Sequence, residues 1–245
     1  MRITLSYFTL IFFFLFCEKA LGQGDELSYT EEFTYGINFN TNGGLIGGLN
    51  LKWAKSIGPK QFQCFGFEFV NVKHPKENRI RVDNTGSSYL LYKTNYLFSL
   101  RPFYGREFVL FRKASEEGVH INGIVAAGPS FGLLKPYYVL YQDYTTNPLS
   151  NLVESRPYIE GLERSGGIQG VGNFTDGLNE IKVTLGMHAK VGLTFEYGQI
   201  KNSVLGLEAG FMVEQFAKDQ QIMAYTYNRS FYSSAFFTLY YGRKY

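Results

Sequence analysis

The stretch VTLGMHAKVGLTFEYG, residues 183–198, constrains the fold more than any other feature of the chain. Its odd positions, Val183, Leu185, Met187, Ala189, Val191, Leu193, Phe195 and Tyr197, are all apolar. Its even positions, Thr184, Gly186, His188, Lys190, Gly192, Thr194 and Glu196, are small, polar or charged. Alternation with a period of two marks a β-strand whose faces meet two different environments. Strands in soluble sheets average about 5–6 residues, and this one is far longer. Which face is inside depends on whether the pattern recurs.

It recurs along the whole chain. Phe33, Tyr35, Ile37 and Phe39 alternate with Thr34, Gly36, Asn38 and Asn40, and Leu45, Leu49, Leu51 and Trp53 stand against Asn50, Lys52 and Ala54. Phe65, Phe67 and Phe69 oppose Cys64, Gly66 and Glu68; Tyr96, Phe98 and Leu100 oppose Asn95, Ser99 and Arg101. Val119, Ile121, Val125, Phe131 and Leu133 alternate with His120, Asn122, Ser130 and Gly132. Leu205, Leu207, Ala209, Phe211 and Val213 stand against Gly206, Glu208, Gly210 and Glu214. The final segment, FYSSAFFTLYYGRKY, is aromatic on both faces. The expected architecture is all-β, an antiparallel up-and-down transmembrane barrel of eight strands, with ten the next even number.

The connections sort into two kinds. Residues 56–60, 199–202 and 105–118 are compact, whereas 74–88, 217–228 and about forty residues at 141–180 are longer, with a tight turn at 41–44. A structureless loop of that length is rare in a soluble domain, but outer-membrane barrels pair short periplasmic turns with long external loops. An even strand number puts both termini in the periplasm. Residues 106–113, REFVLFRK, are read as part of a turn, because a ninth strand would break that parity.

The N-terminus, MRITLSYFTLIFFFLFCEKALGQG, carries Arg2, an apolar core at about 7–16 and the small-residue site Ala20-Leu21-Gly22. That layout predicts a signal peptide over 1–22, with the barrel occupying 23–245. Cleavage would leave Cys64 as the one cysteine, so neither an intramolecular disulfide nor a cysteine metal cluster is expected. With 24 Lys and Arg against 21 Asp and Glu, the net charge of +3 makes no case for nucleic acid.

In a soluble sandwich the polar face would meet water and be rich in charge. Here that face is dominated by Gly, Ser, Ala and Asn, which suits a narrow lumen filled by side chains. Its isolated charges, Lys52, Arg101 and Lys190 against Glu68, Glu196, Glu208 and Glu214, are expected to pair into a buried ionic network, with His120 and His188 beside them. The apolar face then meets lipid. Tyr96, Tyr104, Tyr137, Tyr138, Tyr197, Tyr240 and Tyr241 are expected in interfacial girdles or loop packing. Stacking of a ligand on Tyr137, Tyr138, Tyr141 and Tyr144 is the alternative.

Eight alternating strands behind a signal peptide, ending on FFTLYYGRKY, resemble the small OmpA/OmpX-like outer-membrane barrels of Gram-negative bacteria. The Tyr-, Phe- and Asn-rich style is similar to the uncharacterised PorT-like barrels of Bacteroidota. The resemblance implies a C-terminal signal for the barrel-assembly machinery, carried by Phe237, Leu239, Tyr241 and Tyr245. It covers almost the whole mature chain but brings no diagnostic functional motif.

Chemistry is sparse. The three histidines are scattered, without metal-site spacing. His74 falls in the polar stretch KHPKEN, where a solvated histidine is expected. His120 and His188 face the lumen, where structural hydrogen bonding is the simpler role; a barrel lipid hydrolase would need a Ser–His pair facing lipid near a rim. The glycine-rich 165–177 lacks the Lys-Ser/Thr ending of a phosphate loop and reads as external loop, beside SRPYIEGLERS, a possible short helix. No catalytic residue, metal or cofactor is therefore assigned. The expected role is a non-enzymatic structural or loop-mediated binding protein of the cell envelope. Its expected partners are outer-membrane lipid, the assembly machinery, and an envelope protein or glycan met through the loops. Two alternatives are a lipid-modifying barrel enzyme and a soluble lipocalin-like carrier with the apolar face inside.

Overall fold

The structure, a computed structural model, describes residues 30–82, 86–111, 119–143, 152–165, 167–197 and 203–245, so the expected signal peptide lies outside the described residues. In chain order the strands are β1 (Glu31–Asn40), β2 (Gly44–Gly58), β3 (Gln61–Val72), β4 (Asn78–Arg81), β5 (Ser88–Leu91), β6 (Asn95–Phe111), β7 (His120–Pro136), β8 (Tyr138–Gln142), β9 (Val153–Pro157), β10 (Ile168–Val171), β11 (Lys182–Tyr197), β12 (Ser203–Gln220) and β13 (Arg229–Lys244). Eight of these, in the order β1-β13-β12-β11-β7-β6-β3-β2, close into an antiparallel up-and-down barrel. Each barrel strand pairs with its predecessor and successor around the ring, and β1 returns to β13. At that seam Thr30 N–H and Glu31 N–H donate to the Tyr245 carbonyl at 2.8 and 3.1 Å, and Tyr245 N–H donates back to Glu31 at 2.8 Å.

The faces sort as the alternation requires. Along β11 every odd position from Val183 to Val191 is exposed, while His188, Lys190, Thr194 and Glu196 are buried. The Phe/Leu face of the barrel thus points outward, and the inverted arrangement that a soluble carrier of an apolar ligand needs is not found. A register-matched belt of Phe33, Trp53, Phe65 and Tyr104 crosses β1, β2, β3 and β6 near the end that carries the termini. Toward the other end, Phe39 stacks on Phe237 at 4.6 Å and Phe69 on Phe98 at 5.7 Å. These are the interfacial aromatics expected of a lipid-facing barrel.

Several expectations are corrected. Residues 106–111 are not turn but the last third of β6, which runs unbroken for 17 residues. Parity survives because this segment prolongs an existing strand instead of adding one. Tyr240 points into the barrel and is buried, since it shares the inward parity of Phe236 and Thr238. Residues 141–180 are no bare loop: β8 pairs with β9 and β10 in a three-stranded sheet, while β4 and β5 form a hairpin in the preceding connection. Within SRPYIEGLERS, where a short helix is expected, residues 155–157 belong to strand β9 and the helix is a single 3-10 turn at Leu162–Ser165.

Two luminal glycines have a steric reason. A side chain at Gly66 would meet the Phe103 ring at 2.1 Å, and one at Gly206 would meet the Tyr240 ring at 2.4 Å. In a lumen this narrow, each large inward ring requires a missing side chain across from it.

Candidate functional site

Two places concentrate polar chemistry: the lumen and the end opposite the termini. The lumen is layered. Toward the termini it is filled by Ala54, Phe62, Cys64, Phe103, Val109, Ile124 and Ala126. Toward the other end it is filled by Val70, Val72, Leu97, Phe216, Ile222, Met223 and Tyr232. Charged side chains occupy the space between these apolar layers.

Those charges alternate in sign along a continuous ladder. Glu107 accepts from the Lys52 ammonium, which also lies 4.0 Å from Glu208. Lys190 then bridges Glu208 and Glu68, donating at 2.9 and 2.8 Å. Glu68 lies 4.0 Å from Arg101, whose Nε and second guanidinium nitrogen both donate to Glu214. Ser99 Oγ donates to Glu214 at 2.6 Å, and Asn50 to Glu68 at 3.0 Å. Lys190 also stands 4.2 Å from the centre of the Phe103 ring, and Lys52 stands 5.3 Å from that of Tyr240. Every carboxylate is thus within reach of a cation, as removal from water demands.

The expected luminal residues divide into two groups. Lys52, Glu68, Arg101, Lys190, Glu208 and Glu214 join the ladder. Glu196 pairs nearer the termini, beside the Lys52–Glu107 end of the ladder, where Lys244 donates to it at 2.6 Å and also faces Glu32 at 3.7 Å. His188 is buried with Nδ1 3.0 Å from Ser130 Oγ, whereas His120 is half-buried and registers opposite Glu196. Eight residues of β11 separate the levels of the two histidines, roughly 26 Å of strand, so they form no common site. Glu107 and Glu32 were missed by the sequence reasoning. Glu107 shares inward parity with Arg101, which would have found it had residues 106–111 been read as strand.

The Ser130–His188 pair has the residue types of a nucleophile and base, but it lies in the lumen between the two apolar layers, not on the lipid face. Its buried position gives a lipid ester no route to Ser130 Oγ. Among the described residues, no group of three or more His, Cys, Asp or Glu is arranged to hold a metal ion.

At the end opposite the termini, the connections between β3 and β6, β7 and β11, and β12 and β13 fold together into a cap. Tyr137, Val139, Tyr141, Tyr158, Leu162, Ile168 and Ala224 form its core. Backbone bonds stitch the three connections: Thr94 N–H donates to Ile222, Ala224 N–H to Tyr92, and Tyr137 N–H to Thr94. Leu90 N–H donates to the Tyr137 hydroxyl at 2.8 Å, while Lys93, buried over the Tyr96 ring, donates to Glu77 at 2.6 Å. His74 is buried too, its Nε2 3.3 Å from the Tyr227 carbonyl, which corrects the expected solvated histidine. Tyr137 and Tyr141 are packed inside this core, so they offer no stacking face to a ligand; Tyr138 bonds Glu180 at 2.8 Å, and Tyr144 lies outside the described residues. Tyr92 and Tyr225, with φ of 61° and 53°, hold a left-handed backbone that bulky residues rarely adopt, and their rings meet edge-on at 5.3 Å. The surrounding bonds over-determine this strain.

Phe237, Leu239 and Tyr241 lie on the outer face of β13, and exposed Tyr245 ends the chain at the β1 seam.

Comparison with known proteins finds resemblance in overall shape. No family model and no curated protein matches the sequence. Among solved structures, Ail, the attachment invasion locus protein of Yersinia pestis, solved in complex with the heparin analogue sucrose octasulfate, is 11% identical; the match covers 88% of this chain and 97% of Ail, at a TM-score of 0.38. Neisserial surface protein A is 8% identical over 91% of this chain and all of its own, at a TM-score of 0.41. The barrel assignment rests on the hydrogen-bonded closure of this chain itself.

Two outcomes follow from this geometry. Lys190→Met leaves two carboxylates facing each other and should destabilise the barrel by about 3–5 kcal/mol in urea unfolding from lipid vesicles. Adding Glu68→Gln and Glu208→Gln should restore most of that loss. In the cap, burial pushes the Tyr137 hydroxyl up to about 12, against the lowering effect of the Leu90 N–H, and burial raises Tyr158 as well. The folded cap therefore holds protons that the unfolded chain releases from its ordinary value of 10 upward. Burial lowers Lys93, whose contribution to cap stability rises with pH up to its ordinary 10.5. Above that value the tyrosines act alone: cap stability should fall between about 10.5 and 12, as read by hydrogen exchange of the Leu90 and Ala224 amides.

Proposed function

We propose that this chain is a non-enzymatic outer-membrane barrel that acts through its external cap, as a structural or loop-mediated binding protein of the cell envelope. One observation carries the reading: an ordered cap with its own apolar core, standing clear of the aromatic belt, displays Tyr225, Tyr227 and Ile159 to its surroundings. Apolar side chains outside the hydrocarbon region have no lipid to cover them, and such exposure marks contact surfaces. Rigid scaffolds that present loops commonly bind through them. The filled lumen argues against solute passage, and the enclosed Ser130–His188 pair argues against lipid hydrolysis.

Placement in the outer membrane is supported by the even strand number, by compact connections at the end with the termini and by long ones at the other. On this reading the termini face the periplasm and the cap faces outward. The aromatic outer row of β13, Phe237, Leu239 and Tyr241 with terminal Tyr245, serves as the signal to the assembly machinery. The PorT-like affiliation is supported by the Tyr-, Phe- and Asn-rich composition alone. The ionic ladder is a structural element that fixes the barrel's cross-section.

The test is a cap variant carrying Tyr225→Ser, Tyr227→Ser and Ile159→Ser, expressed beside the natural chain. It should keep heat-dependent gel mobility and surface display but lose crosslinks from the cap to envelope partners. Variants His120→Gln and His188→Gln should leave the lipid profile of the cells unchanged. Lipid modification that disappears in either histidine variant would overturn the proposal in favour of an enzyme.

A further inference from the structure

The outer face of the barrel is not uniformly convex. Where β12, β13, β1, β2 and β3 run side by side, their outward side chains leave a groove of about 680 Å³, almost wholly apolar. Ile37, Leu49, Phe69, Leu205 and Leu239 are among its walls, and its floor includes part of β1, the shortest barrel strand. The groove lies between the two aromatic levels, within the hydrocarbon belt.

At one end the groove is bordered by Tyr35 and Tyr241, whose rings meet edge-on at 5.9 Å. Two residues farther along the same outward row of β13 stands exposed Arg243, about 7 Å of strand beyond Tyr241. Arg243 is in register with Phe33, and through it with Trp53, Phe65 and Tyr104, which places the guanidinium at the level where interfacial aromatics meet headgroups. Lys55 continues the outward row of Leu51 and Trp53, but it is paired with Glu31 at 3.0 Å. Arg243 is therefore the cation best placed to take an anionic headgroup whose tail lies in the groove. An arginine fork suits a phosphate in particular.

We propose that this groove and Arg243 form a site for one phospholipid of the periplasmic leaflet, its acyl chain in the groove and its phosphate on the guanidinium. The choice of leaflet rests on the orientation given under the proposed function, with the termini in the periplasm. The two parts of the site match the two parts of the ligand, apolar length between the girdles and positive charge at the girdle's edge. Lipopolysaccharide would enter from the opposite end, where the cation that continues a wall row, exposed Lys73, stands four residues beyond Phe69, about 13 Å of strand and farther from the groove than Arg243.

The site is tested by native mass spectrometry of the full mature chain, stripped of lipid in detergent and titrated with phosphatidylglycerol or with diacylglycerol. The natural chain should hold one phosphatidylglycerol. Arg243→Gln should weaken phosphatidylglycerol by about fivefold and leave diacylglycerol unchanged. Leu239→Trp, which fills the groove, should weaken both, whereas Val125→Trp on the outer face of β7, four strands from β1 in either direction, should weaken neither. Equal retention by the natural chain and Arg243→Gln would overturn the site. Preferential capture of lipopolysaccharide would overturn the leaflet. Each variant is checked for heat-dependent mobility, and loss of that property in the natural chain would contradict the membrane barrel itself, separately from the lipid site.

Discussion

Closure of β1 on β13 is the constraint from which the other features follow. In hydrocarbon an unpaired peptide group costs several kcal/mol, so a strand can cross only if its neighbours on both sides satisfy it. The nine matched residue pairs between Glu32 and Asn40 of β1 and their partners on β13 supply the last ladder. Once the ring is closed, period-two alternation leaves no choice of environment: one set of side chains meets lipid and the other meets a lumen of fixed, small bore. That bore must be filled at interior density. Phe103 and Tyr240 fill it against glycines, and seven charges fill it by alternating in sign from Glu107 to Glu214. The ladder joins β2, β3, β6, β11 and β12 across the lumen, so it ties together strands that are not neighbours in the sheet.

Much of this was legible in the sequence, because parity is a local property. Counting by twos within each strand, from Lys190 to His188, from Cys64 to Glu68 and from Glu208 to Glu214, places these residues on one face without any knowledge of the fold. Parity does not give depth. Glu196 shares a face with Lys190, yet six residues of strand, about 20 Å, carry it away from Lys190 and into a pair with Lys244, beside the Lys52–Glu107 end of the ladder. Nor does parity say where a strand ends: Phe108 and Leu110 alternate with Glu107 and Val109 as plainly as the residues before them. The requirement of an even strand number, which a ninth strand would have broken, drew the boundary too early. Tyr240 was misplaced for another reason, since a segment aromatic on both faces hides its own phase.

The cap was not legible. Its core joins Tyr89 and Leu90 to Tyr137, Tyr158 and Ala224, residues brought together only because three connections leave the same end of the barrel. Short strands such as Val153–Pro157 carry too little alternation to announce themselves, and Tyr92 and Tyr225 adopt a backbone that their residue type disfavours. Local rules fail most where tertiary contacts over-determine the chain, and such places are enriched in function. The ionic ladder is enclosed. The cap and the groove on the outer face are the surfaces through which we propose that this protein meets other molecules.

The central claim is the sorting of faces, and it is tested most directly along β11. Single spin labels placed in turn from residue 183 to 197, in protein reconstituted into lipid vesicles, report their accessibility to oxygen and to a polar nickel chelate. The account requires oxygen accessibility to rise and fall with a period of two, with maxima at Val183, Leu185, Met187, Ala189, Val191 and Leu193 and with the chelate excluded at mid-strand. Maxima at the even positions, or chelate access along the odd ones, would contradict it.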